Sequence, residues 1–221
     1  MPRYIKKLKP GKRIGIVNGL AVSGSSGFVM DIEVTAAENI KGEGNVTITG
    51  IVETEEINGG NQKLYRKGTA KASVDNALTY LKRRYGVNLK NYDIHINFPG
   101  GMPVDGPSAG IAIFSGLYSA VFGIEADAQI ALTGEISIRG SVLPVGGVAA
   151  KVEAAKVAGA KCVIIPKTNY QEFFDDGGIE IIAVDKVEEV IEALYGKQES
   201  AGSIVSIPSH GTIASASGTE H

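Results

Sequence analysis

Several residue types that often define a class of protein are rare or missing in this 221-residue chain. It has a single cysteine, which excludes an internal disulfide framework and indicates a reducing compartment, the cytoplasm. No apolar run approaches the roughly 18 residues that a membrane-spanning helix needs. The 22 lysines and arginines nearly balance the 24 aspartates and glutamates, so the charge favours neither nucleic acid nor an anionic membrane surface as a partner.

Side chains that commonly act as nucleophiles or metal ligands are also scarce. Cys162 lies in the apolar stretch CVIIP, where we expect a buried strand thiol rather than a nucleophile. Two of the three histidines, His210 and His221, fall in a polar tail, and we expect His95 to be a partly exposed strand residue. No His, Cys and acidic cluster has metal-ligand spacing, and the P-loop pattern G-x-x-x-x-G-K-[ST] is missing, so we expect neither a metal nor a bound cofactor.

The apolar patterning predicts one mixed α/β domain over residues 14–196, of the α+β kind with mixed sheets and packed helices. Residues 1–13 form a basic stretch that we interpret as a linker, and residues 197–221 are a Ser- and Gly-rich, flexible tail. Strands are expected at 14–22, 27–37 and 46–52 (consecutive and antiparallel), 92–98, 129–133, 162–166 and 180–184, with a hairpin across 136–145. Helices are expected at 71–86, 108–123, 147–158 and 186–195, the last with Asp185 and Glu188 in capping-box positions.

One serine stands at a chemically informative place. Ser108 lies in the loop GMPVDGPSAG, between a predicted strand and a nearly all-apolar predicted helix that Gly123 should close. Three roles are open to a serine there. It could cap the helix, it could belong to a cradle that binds phosphate, or it could be a nucleophile with helix N–H groups near an oxyanion.

A lysine supplies a possible base for that serine. On the predicted helix 147–158, Lys151 falls within the apolar stripe formed by Val148, Val152 and Ala155. A lysine on a core-facing stripe either extends its amine to a polar site or loses its proton, because desolvation lowers the lysine pKa. Lys151 is therefore either a general base or a lysine that merely reaches water.

Three stretches of the sequence carry a resemblance to a known family. The chain contains DIHINFPGGMPVDGPSAG (93–110), LTGEISIRGSVLPVGGVAAKVEAAKVAGAKCVIIP (132–166) and, upstream of both, GLAV (19–22). Over roughly residues 11–196 it closely resembles the proteolytic domain of the Lon family of ATP-dependent proteases. The loop before the serine is most similar to the shorter bacterial Lon-like branch and differs from the archaeal membrane-bound branch.

The resemblance implies a role for four residues. Ser108 is implied as the nucleophile and Lys151, 43 positions later, as the general base of a Ser–Lys dyad. Thr133 matches the family threonine near the lysine amine. Asp105 matches the acidic residue before the nucleophile, with a role in positioning or gating.

The resemblance also implies substrates and partners, and two alternative functions have to be weighed against it. It implies a serine endopeptidase that acts on unfolded polypeptides, a ring of six subunits, and an ATPase module upstream through which alone ATP would act. The rival function is a small-molecule kinase of the galactokinase or mevalonate kinase type, with the serine loop as a phosphate cradle. Asp105, which would repel phosphate, and the fixed Ser108–Lys151 separation argue against the kinase. An inactive binding module would be expected to have lost the serine or the lysine, and the chain has both.

Overall fold

The computed structural model of the chain describes residues 6–51, 54–59, 62–67, 69–100, 106–174 and 177–196. Its strands are β1 Lys12–Arg13, β2 Ile16–Ser23, β3 Ser26–Glu38, β4 Val46–Thr49, β5 Thr54–Gly59, β6 Gln62–Lys67, β7 Tyr92–Asn97, β8 Ala126–Asp127, β9 Ile130–Leu132, β10 Glu135–Ile136, β11 Val142–Leu143, β12 Cys162–Pro166 and β13 Glu180–Val184. Its α-helices are α1 Thr69–Tyr85, α2 Gly110–Phe122, α3 Val148–Ala158 and α4 Val187–Tyr195.

A seven-stranded mixed sheet forms the centre of the domain, in the order β13-β12-β9-β2-β3-β7-β4. Helices α1, α2 and α4 pack on one face, over a large apolar core that includes Ile32, Ile96 and Phe114. Helix α3 packs on the opposite face, over a smaller core that includes Leu20 and Val163. The mixed α/β architecture predicted from the sequence is confirmed.

The prediction for the third strand is wrong in its pairing. β2 and β3 are antiparallel as expected, but β4 does not continue that meander. It pairs parallel with β7, which separates it from β3, and it forms the edge of the sheet. The alternating apolar pattern identifies a strand but not its neighbour, because the pattern depends on which faces are buried and not on sequence order.

The hairpin of β2 and β3 extends beyond its neighbours in the sheet. The two strands pair along their whole shared length, up to Ser23 opposite Ser26. β9 pairs with β2 only at Asn18 and Gly19, and β7 pairs with β3 only from Glu33 onward. The outer half of the hairpin therefore has one edge on the β9 side and another on the β7 side.

The basic segment at the start of the chain packs on the domain from Lys6 onward. Leu8 is buried, and its N–H donates to the carbonyl of Ala158 at the end of α3 over 2.8 Å. Further along, β1 pairs with β8. Residues 6–13, which the sequence analysis treats as part of a linker, thus add a short strand and a buried side chain to the fold.

The end of α2 agrees with the capping signal in the sequence, whereas the start of α4 differs from it by one residue. Gly123 ends α2 in the left-handed conformation with φ of 66°, as predicted. At α4 the capping residue is Glu189 instead of Glu188, since Glu189 accepts the N–H groups of Asp185 and Lys186 at 2.6 and 2.9 Å. Glu188 instead accepts the hydroxyl of Tyr80 at 2.8 Å.

Candidate active site

Ser108 lies in a single 3-10 turn, Pro107–Ala109, directly before α2. Neither this turn nor α2 begins with a side-chain cap, because Gly106 and Ala109 occupy the two capping positions. The interpretation of Ser108 as a helix cap is therefore wrong. Gly106 has φ of 121°, a conformation that side-chain-bearing residues rarely adopt, so the turn before the serine depends on a glycine.

The main chain of Ser108 is fixed by the segment that follows β9. Its carbonyl accepts the N–H of Gly134 at 2.9 Å and the hydroxyl of Thr133 at 3.3 Å. In return, the N–H of Ile111 donates to the carbonyl of Gly134 at 3.1 Å. Three hydrogen bonds thus join the start of α2 to the end of a central strand.

Close packing strengthens this junction. A methyl group added at Gly110 would lie 2.6 Å from the main-chain nitrogen of Ile136, nearer than side-chain carbons approach in proteins. Only a glycine lets the first turn of α2 contact the β10 backbone this closely. The position of Ser108 is consequently set by backbone contacts on both sides of the serine turn.

Lys151 reaches the same segment from the opposite face of the sheet. It lies in the first turns of α3 and is one of the buried residues of that helix, with 1% of its surface exposed. Its Nζ donates to Oγ1 of Thr133 at 3.1 Å. Thr133 therefore contacts both the lysine amine and the serine main chain through one hydroxyl group.

Helix α3 approaches the sheet closely at one point. A methyl group added at Gly27 of β3 would lie 2.1 Å from the carbonyl oxygen of Ala150 and 3.0 Å from the nitrogen of Lys151. The helix therefore rests on the strand backbone immediately beside Lys151, with no side chain between them. Any larger residue at position 27 would displace the helix or the strand.

A second contact fixes the loop that enters α3. The side-chain amide of Asn169 accepts the N–H of Val145 at 2.8 Å and donates to the Val145 carbonyl at 3.0 Å. Two bonds between one amide and one residue hold the orientation of the loop as well as its position. The loop leads to Gly147, whose left-handed φ of 68° begins the helix.

The environment of Lys151 favours a neutral amine. Burial lowers the pKa of Lys151 from 10.5 to about 8. Within the part of the chain that the structure describes, no carboxylate forms an ion pair with this amine. An amine with this pKa exchanges its proton near neutral pH, which is the property that a general base needs.

The chain was compared with families of known proteins. The model of the "Lon protease (S16) C-terminal proteolytic domain" family matches residues 2–197. The chain belongs to this family. It is a Lon-type peptidase domain, as its motifs indicated.

Individual relatives agree with the assignment of the Lon domain. Lon protease 2 of Bacillus subtilis is 49% identical over 197 residues, which cover 87% of this chain and 35% of the relative. The archaeal Lon protease of Archaeoglobus fulgidus is 42% identical over 205 residues, covering 86% and 31%. The Lon protease of Clostridium beijerinckii is 38% identical over 191 residues, covering 82% and 22%.

These figures have two consequences. The chain spans about a third or less of the curated relatives it matches, so most of their length lies outside the matched region. Identity to the archaeal protein is between those to the two bacterial ones, so overall identity does not separate the branches that the serine loop distinguishes. Family membership favours a protease over the alternative of a small-molecule kinase.

The structure brings together three of the four residues that the motifs singled out. Ser108, Thr133 and Lys151 meet at the end of β9. Asp105 lies outside the described residues. His95 is exposed on β7, where Nε2 lies 3.1 Å from Oγ1 of Thr49.

Two positioning contacts in the Lon domain were missed from the sequence. Asn169 gave no local signal, because its partner is 24 residues away along the chain. Gly27 did give one, since a glycine inside a strand often marks a close approach of another backbone. Its partner α3 could not be identified from the strand pattern alone.

The remaining candidates fit a structural role. Cys162 is buried in β12, and burial raises the pKa of its thiol to about 12, which disfavours a reactive thiolate. Among the described residues, no group of three or more His, Cys, Asp or Glu side chains could hold a metal ion. Nor does any described helix have the length and apolar character to cross a membrane.

Proposed function

We propose that the Lon domain cleaves peptide bonds with Ser108 as nucleophile and Lys151 as general base. The observation that carries this proposal is the buried Lys151 amine, which bonds the Thr133 hydroxyl that in turn bonds the Ser108 carbonyl. Burial without an acidic partner among the described residues gives the amine a reason to be neutral. The hydrogen bonds of Thr133 hold the Lys151 amine close to the Ser108 main chain.

The reaction we propose is acyl transfer through an acyl-enzyme. Neutral Lys151 takes the proton of the Ser108 hydroxyl, and the serine oxygen attacks the peptide carbonyl. Main-chain N–H groups at the start of α2, those of Ser108 and a neighbouring loop residue, stabilise the oxyanion. The Lys151 ammonium then protonates the leaving amine, and water activated by the same lysine releases the acyl group.

Two residues take supporting roles in this proposal. Thr133 holds the lysine amine in place by accepting one of its hydrogens. Asp105, three residues before the nucleophile, positions the serine loop or gates access to it. The domain itself uses no metal or cofactor.

The wider proposal concerns the whole protein. Proteins named Lon protease contain a region similar to this domain as about a third or less of their length. We propose that an ATPase module precedes this domain, that ATP acts through that module, and that unfolded polypeptides are the substrates. We further propose a homo-hexameric ring in the cytoplasm, in which head-to-tail contacts place unlike surfaces of neighbouring subunits together.

The test is hydrolysis of a short fluorogenic peptide by this chain and by Ser108→Ala. We expect the substitution to lower turnover by about 10³-fold or more, with an unchanged circular dichroism spectrum. His95→Ala is the matched control, because His95 is the histidine that the structure describes, and it should keep activity within about twofold of the parent. Peptide hydrolysis retained by Ser108→Ala, or lost equally in His95→Ala, would contradict the proposed dyad.

A further inference from the structure

A groove of about 740 Å³ lies beside the outer half of β3, away from β9 and the Ser108 turn. Its floor is the consecutive run Ser25–Asp31. One wall is the exposed side of α3, and Pro99 and Gly100 form the other. The volume is in the range of pockets that bind ligands in proteins.

Among the described residues, the floor of this groove is a strand edge that has no partner strand. In an antiparallel pair, main-chain groups of alternate residues point to opposite neighbours. Val34 donates its N–H to Gly15 on the β2 side, and Asn39 donates its N–H to Asn91 on the β7 side. The odd-numbered residues of β3 therefore point towards β7, and among them Gly27, Val29 and Asp31 lie in the groove beyond the last β7 pair.

The end of β7 explains why this edge is open. Continuing the register of β3 and β7 would place Pro99 opposite Asp31. Proline has no N–H to donate, so the chain cannot continue the ladder there. Among the described residues, no strand pairs with β3 between Ser26 and Ile32 on this side.

The side chains around the edge leave room for another backbone. Ala150 and Ala154 present methyl groups from α3, and Gly27 presents no side chain. Glu153 and Val157 are the exposed α3 residues that also line the groove. Lys6 and Asp31, whose charged atoms are 2.6 Å apart, form an ion pair at one end. The groove therefore offers main-chain hydrogen bonds beside a largely apolar wall, with the charged side chains of Lys6, Asp31 and Glu153 around it.

We propose that this groove, which we call the β3 groove, binds an extended segment of an unfolded polypeptide as an added strand beside Gly27–Asp31. Such a segment would span about 16 Å at the usual rise of a strand. Strand addition at an open edge recognises the peptide main chain and so tolerates many sequences. This inference rests on the proposed function, because it gives a protease domain a second contact with its substrate, on the opposite edge of the hairpin from Thr133.

An open edge could also be covered by a second copy of the chain. The features of the β3 groove favour a polypeptide instead. Among the described residues, the edge without a partner strand spans Gly27–Asp31, which is long enough for an extended peptide but offers far less surface than the roughly 800 Å² per partner that a stable contact between folded proteins buries.

The test separates polypeptide binding from catalysis. Fluorescein-labelled β-casein, a natively unfolded protein, is titrated with the Ser108→Ala chain so that no cleavage occurs, and binding is followed by fluorescence anisotropy. Ala154→Trp fills the groove from α3, and Val29→Pro removes one N–H from its edge without removing a bond to β2. Ala72→Trp, at an exposed position of α1, is the control for the added indole.

We expect both groove variants to bind casein about tenfold more weakly than the parent, and Ala72→Trp to bind as the parent does. Unchanged affinity in both groove variants would overturn the proposal. A change of mass in light scattering, caused by either groove variant and not by Ala72→Trp, would also overturn it, because the groove would then be a contact between subunits. Since no step requires turnover, these outcomes are independent of whether Ser108 proves to be the nucleophile.

Discussion

Two lysines of this domain, Lys6 and Lys151, are at least partly buried, and the groups that surround their amines differ. Lys6 lies 2.6 Å from the carboxylate of Asp31 and donates to the amide oxygen of Asn18 at 3.1 Å. Lys151 donates to the hydroxyl of Thr133. Burial lowers the pKa of both amines, but at Lys6 the hydrogen bond and the charge of Asp31 oppose that decrease.

The difference separates a structural lysine from the lysine that we propose as the base. A buried ammonium beside a carboxylate keeps its proton, because the ion pair compensates for lost hydration. A buried ammonium beside a hydroxyl gains only one neutral hydrogen bond and is held in the charged state at a cost in stability. The cluster around Lys6 therefore fastens the chain, whereas the site around Lys151 keeps a proton that is easily lost.

Replacing Lys151 should have the largest effect. Lys151→Met removes the proposed base and should lower peptide hydrolysis by about 10³-fold or more. The same change should raise the free energy of unfolding at pH 7 by roughly 1–3 kcal/mol, because methionine fills the site without a buried charge. Chemical denaturation and peptide hydrolysis, measured on the same protein, would check both effects.

The stability difference between Lys151→Met and the parent should depend on pH. The unfolded lysine has a pKa near 10.5 and the folded one about 8, so the folded state holds its proton less strongly. The stabilisation by Lys151→Met should thus be complete below pH 8 and disappear as the pH rises towards 10.5. Activity of the parent should rise through a single ionisation near pH 8, and a Lys151→Arg variant should be inactive at every pH. If Lys151→Met were less stable than the parent at pH 7, the Lys151 ammonium would not be held at a cost in stability.

Thr133→Val should have an intermediate effect. It keeps the shape of the side chain but removes the oxygen that accepts the hydrogen of Lys151, so the amine loses a fixed position and its pKa falls further. We expect peptide hydrolysis to fall by about 10- to 100-fold, with the midpoint of the pH profile shifted downward. Thr133→Ser retains the hydroxyl and should restore most of the activity and the original midpoint. If the valine variant had normal activity and an unshifted profile, Thr133 would not be a positioning residue.

Asp31→Asn should affect stability and leave chemistry unchanged. Asp31 pairs with Lys6 and with Arg13, whose Nη1 lies 3.1 Å away, so neutralising it leaves two partly buried cations without a carboxylate. We expect a decrease of about 1–2 kcal/mol in the free energy of unfolding, diminished by the partial exposure of the pair. Turnover of the short peptide should remain that of the parent. A change in the pH profile of hydrolysis would show that the two lysine regions are coupled.

The catalytic candidates could be predicted from the sequence because each has a local signature. Lys151 breaks an apolar helical stripe, and Ser108 follows a turn of glycine and proline at a helix start. The family motifs joined the two, and Thr133 was identified only through them. Nothing local indicates that Thr133 contacts both residues, since the contact depends on two helices that lie on opposite faces of the sheet.

Features that depend on pairing over long distances could not be predicted. The basic composition of residues 1–13 suggested a linker, but Leu8 and Lys6 find their partners more than 20 residues away, at Ala158 and Asp31. The position of β4 beside β7, and the open edge of β3, likewise follow from which strands meet. Pattern and propensity describe one segment at a time, so they determine the elements better than their neighbours.

The arm formed by residues 6–8 has a mechanical consequence. A pulling force applied to the chain on the N-terminal side of Lys6 is borne first by the Lys6–Asp31 pair and by the bond from Leu8 to Ala158. Ala158 is the last residue of α3, the rigid rod whose other end carries Lys151. Tension on the incoming chain therefore acts at two points at once, on β3 of the central sheet through Asp31 and on the end of the helix that bears the proposed base through Ala158.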